Sequence, residues 1–398
     1  MKAPAGSLIA LVGVVLIGMT GFGVFLPIFP FLALEVGATP TAATIAMGAY
    51  SLGQLISSPF WGRLSDRIGR KPVLIAGLVG GVASYLWLAR AASVEELGAA
   101  RLFGGLMAGN IGAAFAAAAD LADDKTRARN MGLLGAAVGF GFIAGPFLGA
   151  LLIGETPDRE GFARVCLASA ALAGVAALAA LVLFRESLPK AARTGAARPR
   201  IRARELMTRP ALARLALVML LMIAAQALME TTFGLWADVR LNWGPREVGW
   251  TLGALGVGAV LLQGGGAGAA ARALGERTML FVGLAMFAAG LGGLAVARDA
   301  AATGAALTAL VIGLGLASPA LNALIAAQAA EAERGAVMGL GQSASALGRV
   351  LGPLGAGALF DAFSPAAPFA VAACVILAAL FVALGDAGAG NRSPSATP

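Results

Sequence analysis

Histidine is absent from this 398-residue chain, and only two cysteines occur, Cys166 and Cys374. Without histidine the chain lacks the commonest metal ligand and the usual side chain for proton transfer at neutral pH, so proton chemistry would fall to carboxylates. Both cysteines lie within apolar stretches, where a small buried hydrophobic residue is a better explanation than a disulfide or a metal ligand. We therefore expect no metal site.

Signals of an enzyme or a motor are also missing. The sequence has no Walker A loop, no cysteine–histidine cluster and no nucleophile elbow, which excludes an ATP-driven pump within this chain. Charged residues make up 13% of the chain, whereas a soluble domain carries roughly a quarter. We expect a protein that is not an enzyme and that uses no cofactor.

Apolar and small residues dominate instead: 59% of the residues are hydrophobic and 56 are glycine. Small residues at this density suit helices that pack closely in lipid, and a helix that crosses a membrane needs about 20 apolar residues. The sequence predicts an all-α membrane protein with twelve transmembrane helices, at 7–29, 42–60, 73–89, 98–119, 131–153, 163–184, 211–236, 247–267, 278–297, 303–327, 336–360 and 366–385.

Basic residues determine the predicted orientation. A net charge of +8 would suggest nucleic-acid binding in a soluble protein, but these basic residues cluster in a few short loops, as the positive-inside rule requires. With the N-terminus in the cytoplasm, the inner segments hold 21 Lys and Arg residues and the outer loops hold six. We expect a multi-pass protein of the inner (plasma) membrane with both termini cytoplasmic and with no nucleic-acid partner.

The two halves of the chain repeat each other. Gly145-Pro146 comes fourteen residues after Met131, and Gly352-Pro353 comes fourteen residues after Met338, so a shift of 207 aligns them without gaps. A weaker match, at a shift of 206, pairs Gly62 and Gly69 with Gly268 and Gly275. We expect two pseudo-symmetric six-helix halves, with an N-terminal bundle at 1–185, a basic cytoplasmic linker at 186–209, a C-terminal bundle at 210–390 and a short polar tail at 391–398.

A glycine- and arginine-rich segment follows the second predicted span. It reads Gly62-Arg63-Leu64-Ser65-Asp66-Arg67-Ile68-Gly69-Arg70-Lys71-Pro72 and resembles motif A, the signature loop of the major facilitator superfamily. The resemblance implies a twelve-helix major facilitator fold with a gate, whose candidate residues are Gly62, Asp66, Arg67, Gly69, Arg70, Asp120, Arg127 and Arg129. It further implies that Asp120, where span four ends, pairs with Arg67 or Arg70. The glycines would allow a tight turn and close helix approach.

The alternative for the arginines of this segment is that they only set topology. The embedded glycines and Asp66 argue against that alternative. In the second-half copy, Arg272 stands at the Asp66 position and Glu276 at the Arg70 position. We therefore expect an asymmetric gate, centred on the first half.

Two further segments indicate which family within the superfamily the chain resembles. Span four begins Arg101-Leu102-Phe103-Gly104-Gly105, a partial match to motif B. Span five resembles motif C of drug:proton antiporters, carried by Gly141, Gly145, Pro146 and Gly149. The chain is thus similar to the twelve-helix drug:proton antiporter family, including its tetracycline-exporter branch. Arg101 lies one turn from the outer edge, so it either serves transport or reaches the membrane surface.

One departure from the exporter branch concerns proton coupling. Residues 19–24 of span one contain no acid, although many exporters of this branch carry one within that span. The only acid deep in a span is Glu230 in span seven, and Met222, Gln226 and Phe233 share its helical face. Acids within a membrane are functional by default. We expect a buried Glu230 to carry a proton or bind a cationic substrate; a structural hydrogen bond is the alternative.

Arg349 in span eleven is the other deep charge. It could pair with Glu230, bind an anionic substrate or form a structural salt bridge, and Arg101 or Arg349 would tune the protonation of Glu230. Further polar candidates for proton or substrate contact are Asn110, Asn322 and Gln342. Each of them could equally form a hydrogen bond between helices.

These features predict a secondary active transporter that exports small amphipathic or drug-like compounds in exchange for protons, by alternating access. Its predicted partners are a small-molecule substrate, protons and the lipid bilayer, with a proton gradient in place of a cofactor, and we expect a monomer. Two alternatives stay open. One is a proton-coupled importer or metabolite carrier on the same fold, and the other is a non-transporting membrane receptor.

Overall fold

The computed structural model describes residues 5–123, 126–154, 157–189, 203–262, 266–330 and 333–385. The predicted tail and most of the predicted linker lie outside these ranges. The regular elements within them are all helices, namely α1 Ala5–Phe25, α2 Phe29–Glu35, α3 Pro40–Ile68, α4 Arg70–Leu88, α5 Val94–Leu106, α6 Asn110–Asp120, α7 Arg127–Ile153, α8 Arg159–Val182, α9 Ala203–Met207, α10 Pro210–Leu241, α11 Pro245–Leu261, α12 Ala267–Leu274, α13 Glu276–Val296, α14 Ala300–Ala327, α15 Arg334–Ala362 and α16 Ala367–Leu384.

Nine segments of the described chain are long and apolar enough to cross a membrane, by length and composition. They are Gly6–Phe25, Arg70–Leu88, Val94–Asp120, Arg129–Ile153, Arg159–Val182, Pro210–Leu241, Glu276–Val296, Ala300–Ala327 and Ala367–Leu384. The remaining predicted spans coincide with α3, with α15 and with α11, which has 17 residues. The all-α membrane architecture predicted from the sequence is thus confirmed, and the helices are consistent with twelve spans.

The chain divides into two compact units. The first unit comprises Met1–Ala197 with Thr231–Val257, and the second comprises Arg198–Glu230 with Gly258–Pro398. Each of α10 and α11 therefore contributes residues to both units. The part of α11 that belongs to the first unit packs on α7, where a Cβ on Gly249 would lie 2.9 Å from the carbonyl oxygen of Pro146. The bundle limits drawn from the sequence, with the linker at 186–209, remain a prediction.

In the first unit, α1 and α7 approach each other at three glycines. A Cβ on Gly145 would lie 2.4 Å from the carbonyl carbon of Gly23, and a Cβ on Gly149 would lie 2.6 Å from the carbonyl oxygen of Val24. A Cβ on Gly141 would likewise lie 2.5 Å from the Cβ of Met19. Cβ atoms do not approach other atoms this closely, so the two backbones touch only because glycine stands at these positions.

The second unit repeats this packing between α10 and α15. A Cβ on Gly348 would lie 2.7 Å from the carbonyl oxygen of Leu220, and a Cβ on Gly352 would lie 2.6 Å from the carbonyl oxygen of Ala224. Gly348 and Gly352 are the residues that the shift of 207 aligns with Gly141 and Gly145. The repeat seen in the sequence therefore has a counterpart in helix packing.

The weaker repeat match corresponds to a pair of turns. Gly69 separates α3 from α4 with a φ of 110°, and Gly275 separates α12 from α13 with a φ of 75°. Both values lie in the left-handed region that favours glycine. Gly62, in contrast, was wrongly placed in the turn: α3 continues to Ile68, and a Cβ on Gly62 would meet no atom within 4 Å. A single residue of positive φ suffices for this turn.

The predicted span four at 98–119 is broken in the structure. α5 ends at Leu106 and α6 begins at Asn110. Trp61 of α3 fills the break: its indole Nε1 donates to the carbonyl oxygen of Leu106 at 2.6 Å, and a Cβ on Gly109 would lie 2.3 Å from the indole ring. A side chain inserted into the backbone ladder is a recognised cause of such interruptions.

The glycine contacts generate a stability prediction. Gly145→Ala and Gly352→Ala should each destabilise the protein by roughly 1–3 kcal/mol, because the new methyl group must displace backbone. Gly135→Ala on α7 is the matched control, since a Cβ there would meet nothing within 4 Å. The midpoint of thermal unfolding of the purified protein in detergent measures the effect. Equal midpoints for Gly145→Ala and Gly135→Ala would contradict the proposed packing.

Candidate functional site

Arg70, the first residue of α4, is the centre of an ion-pair cluster. Its Nε donates to Oδ2 of Asp120 at 2.9 Å, and its Nη1 donates to Oδ1 of Asp66 at 2.6 Å and to Oγ of Ser65 at 3.0 Å. The side chain of Arg70 is 11% exposed and that of Asp120 is 24% exposed, so this interaction is only partly screened by water. The guanidinium thereby joins the end of α3 to the end of α6.

Glu186, beyond the end of α8, completes this cluster. Its Oε1 accepts the backbone N–H of Arg70 at 2.9 Å, and its Oε2 accepts the backbone N–H of Lys71 at 3.1 Å. The first N–H groups of a helix have no intrahelical acceptor, and a carboxylate there also complements the helix dipole. Lys71 Nζ donates to the carbonyl oxygen of Leu181 at 2.7 Å, which ties α4 to α8 a second time. We refer to Ser65, Asp66, Arg70, Asp120 and Glu186 as the Arg70 cluster.

Only some of the predicted gate residues contact one another in the structure. Asp120 contacts Arg70 rather than Arg67, and Arg67 is exposed and forms no ion pair with any described residue. Arg127 and Arg129 are also exposed at the start of α7 and lie outside the cluster, so their part in a gate remains a prediction.

A second ion pair lies in the second unit and was not anticipated. Arg209, just before α10, donates from Nη1 and Nη2 to the two carboxylate oxygens of Glu333 at 2.7 and 2.8 Å. These hydrogen bonds hold the pKa of Glu333 below its ordinary value. In the described part of the second half, Arg272 and Glu276 form no ion pair, in agreement with the decayed second copy of motif A.

Arg101 of α5 is buried within an aromatic cage. Its guanidinium carbon lies 4.6 Å from the ring centre of Tyr50 and 5.5–5.8 Å from the ring centres of three phenylalanines, Phe29, Phe25 and Phe22. Only 4% of the residue is exposed, so it does not reach the membrane surface. The rings offset part of the cost of burying the charge, which is several kcal/mol, by cation–π attraction, but they carry no net negative charge.

Glu230 lies on α10 beside Gln226, whose Nε2 donates to the carboxylate at 2.8 Å. The side chain of Glu230 is accessible at the surface of its unit, whereas Met222 and Phe233 on the same helix are buried. Depth along a helix does not decide whether a side chain faces packed residues or open space. Arg349 is also exposed and close enough to attract Glu230 electrostatically, but the two form no direct ion pair within 4 Å in the described chain.

The remaining polar candidates lie on α14, α15 and α6. Asn322 donates from Nδ2 to the carbonyl oxygen of Ser318 on its own helix at 2.9 Å. Gln342 is exposed on α15. Asn110 begins α6, next to the break filled by Trp61. Glu186 and Trp61 are the main residues that sequence reasoning missed; an acid next to a basic segment was the only available signal for Glu186.

A bundle of apolar helices with charged clusters at helix ends and isolated polar groups within the helices defines the class of polytopic membrane carriers. The model of the Major Facilitator Superfamily matches residues 11–244 and 215–397, and the chain belongs to that superfamily. It is therefore a multi-pass membrane protein of a transporter family.

Relatives and solved structures agree with this placement. The chain is similar to the tetracycline resistance protein of class G from Vibrio anguillarum, with 31% identity over 89% of this chain and 90% of the relative. It is also similar to multidrug resistance protein 2 of Bacillus subtilis, with 27% identity over 89% and 88% of the two chains. The nucleoside transporter NupG, as its D323A mutant, shares the fold with a TM-score of 0.81 at 11% identity, over 95% of this chain and 99% of that one.

The Arg70 cluster generates a prediction that separates an ion-pair role from a topological one. Arg70→Gln should lower transport by about tenfold or more, since a charged hydrogen-bond donor at the cluster centre is lost. Arg67→Gln removes the same charge three residues away and should have little effect. Initial rates of uptake into inverted membrane vesicles, normalised to protein amount, measure both. Equal losses in the two variants would mean that these arginines only set topology.

Proposed function

We propose that this protein exports small amphipathic, drug-like compounds in exchange for protons, by alternating access. The observation that carries the proposal is end-to-end similarity, over about nine-tenths of both chains, to proteins named for resistance to tetracycline and to multiple drugs. A substrate site in such a carrier lies near the bilayer midplane. The Arg70 cluster and Glu230 supply the charged groups that this mechanism needs.

Glu230 is the proposed proton site. It is exposed, so a proton or a cationic compound can reach it, and its carboxylate is held in place by Gln226. Arg349 attracts the carboxylate without pairing directly with it. If the positive charge of Arg349 moved away during transport, the carboxylate would lose an attraction that favours its charged form and could accept a proton.

The Arg70 cluster is the proposed latch. The positive-inside rule assigns both termini and this cluster to the cytoplasmic side. Arg70 there holds the ends of α3, α4 and α6 together through Asp66 and Asp120, and Glu186 adds the segment after α8. Separation of these charges would release the first-half helices for the opposite conformation. Such a latch needs no cofactor, and we propose that a monomer is sufficient.

The inward flow of protons supplies the energy. One elementary charge that crosses the membrane is worth about 2.3 kcal/mol per 100 mV, so exchange of one proton for one neutral molecule sustains a concentration gradient of that size. The intact Arg70 cluster argues against a non-transporting receptor, which has no use for a latch. The absence of an acid in residues 19–24 is the observation that favours an importer as the second candidate function.

The decisive experiment uses the purified protein in liposomes that contain a pH-sensitive dye. A gradient of a cationic or neutral drug is imposed, and the resulting proton movement is recorded for the wild type, Glu230→Gln and Glu35→Gln. We expect proton movement opposite to the drug, abolished in Glu230→Gln and kept in Glu35→Gln. Glu35 is the matched control because it is an exposed acid at the end of α2.

The other outcomes have distinct meanings. Proton movement in the same direction as the drug would identify a symporter and overturn the export proposal. Movement that persists in Glu230→Gln would remove Glu230 from coupling. No proton movement with any drug that binds to the protein would overturn proton coupling.

A further inference from the structure

A cavity of about 50 Å³ lies inside the first unit. Its wall contains Arg101 of α5, Asn110 of α6, and Ser84 and Tyr85 of α4, together with small and aromatic residues. Gly77 allows α4 to approach the start of α6, because a Cβ there would lie 2.9 Å from the backbone nitrogen of Asn110. The cavity is therefore built by close packing around the break in span four.

Three polar side chains on this wall can donate hydrogen bonds that no described residue accepts. Arg101 is 4% exposed, and its Nε is buried without an acceptor. The hydroxyl group of Tyr85 and the amide group of Asn110 also have no hydrogen-bond partner among the described residues. Ser84 differs, since its Oγ donates to the carbonyl oxygen of Ala100 at 2.8 Å. A buried donor such as the Nε of Arg101 is normally satisfied, so an acceptor is required here, and Tyr85 and Asn110 offer further donors on the same wall.

The wall also carries an uncompensated positive charge. None of the residues that line the cavity is an aspartate or a glutamate, and no carboxylate of the described chain lies within 4 Å of Arg101. The eleven-residue helix α6 begins at this wall, and the start of a helix carries a partial positive charge with unpaired N–H groups. A guanidinium, a helix start and neutral donors together form the chemistry of an anion site.

We propose that this cavity binds a small monovalent inorganic anion of the size of chloride or bromide, held by Arg101, Tyr85 and Asn110. One guanidinium charge matches one negative charge, and a cavity volume of about 50 Å³ exceeds the roughly 10–15 Å³ that a cavity needs to hold one water molecule. A carboxylate that belongs to a transported compound offers the same charge and is the alternative that the test distinguishes. The bound anion neutralises the buried charge of Arg101.

The test uses the purified full-length protein in detergent, without any drug. Sodium chloride or sodium bromide replaces sodium gluconate at constant ionic strength, and the midpoint of thermal unfolding is recorded along with the line width of the chloride-35 NMR signal. For the wild type we expect a saturable rise of the midpoint with either halide, and a chloride line that bromide narrows by competition. Arg101→Gln should weaken the apparent halide affinity by about tenfold or more. Arg90→Gln, at an exposed position after α4, should retain the wild-type response.

Asn110→Asp keeps the proposal testable if Arg101→Gln fails to fold. This nearly isosteric change places a carboxylate on the cavity wall, so the protein should remain folded while the halide response disappears. Equal stability in gluconate and halide for the wild type, or a halide response retained in Asn110→Asp, would overturn the proposal. A response to carboxylate-bearing drugs but not to halides would also overturn it, since the ligand would then be the transported compound. No step of the test requires transport, so its result is independent of the proposed function.

Discussion

Contact between helix backbones at glycine is the constraint on which the rest of this structure depends. Apolar side chains gain little by leaving lipid for protein, so association of membrane helices relies on close packing. Here α1 meets α7 at Gly145, α10 meets α15 at Gly352, and α4 meets the start of α6 at Gly77. The same approach between Gly77 and Asn110 brings the polar side chains of three helices to one cavity wall.

Charge is accommodated in three different ways within these bundles. At the helix ends, Arg70 is paired with acids and Glu186 accepts helix N–H groups. Within a helix, Arg101 is surrounded by aromatic rings, which are attracted to a cation without neutralising it. Glu230 accepts a hydrogen bond from the amide of Gln226 and is attracted by Arg349 without a direct ion pair. The Arg70 cluster suits a latch, the surroundings of Arg101 suit an anion site, and those of Glu230 suit an exchangeable proton site.

Sequence reasoning succeeded for features that arise from neighbouring residues or from the internal repeat. Apolar segments of about 20 residues located the helices, and the repeat at a shift of 207 residues corresponds to equivalent glycine packing in the two units. Sequence reasoning failed for contacts between residues that are far apart in the sequence. Glu186 contacts Arg70 across 116 residues of sequence, and Trp61 interrupts span four from α3. Neither contact leaves a periodic signal.

The sequence by itself determined the class of this protein, its helices and its superfamily, because twenty-residue apolar segments and backbone contacts at glycine are recorded directly in residue type and spacing. Only the tertiary structure decided which arginine of motif A pairs with Asp120, that Glu230 is exposed and that Arg101 is enclosed by rings. The reason is physical: a helix of known residues can be rotated and placed in many ways, and the partner of each charge depends on that placement.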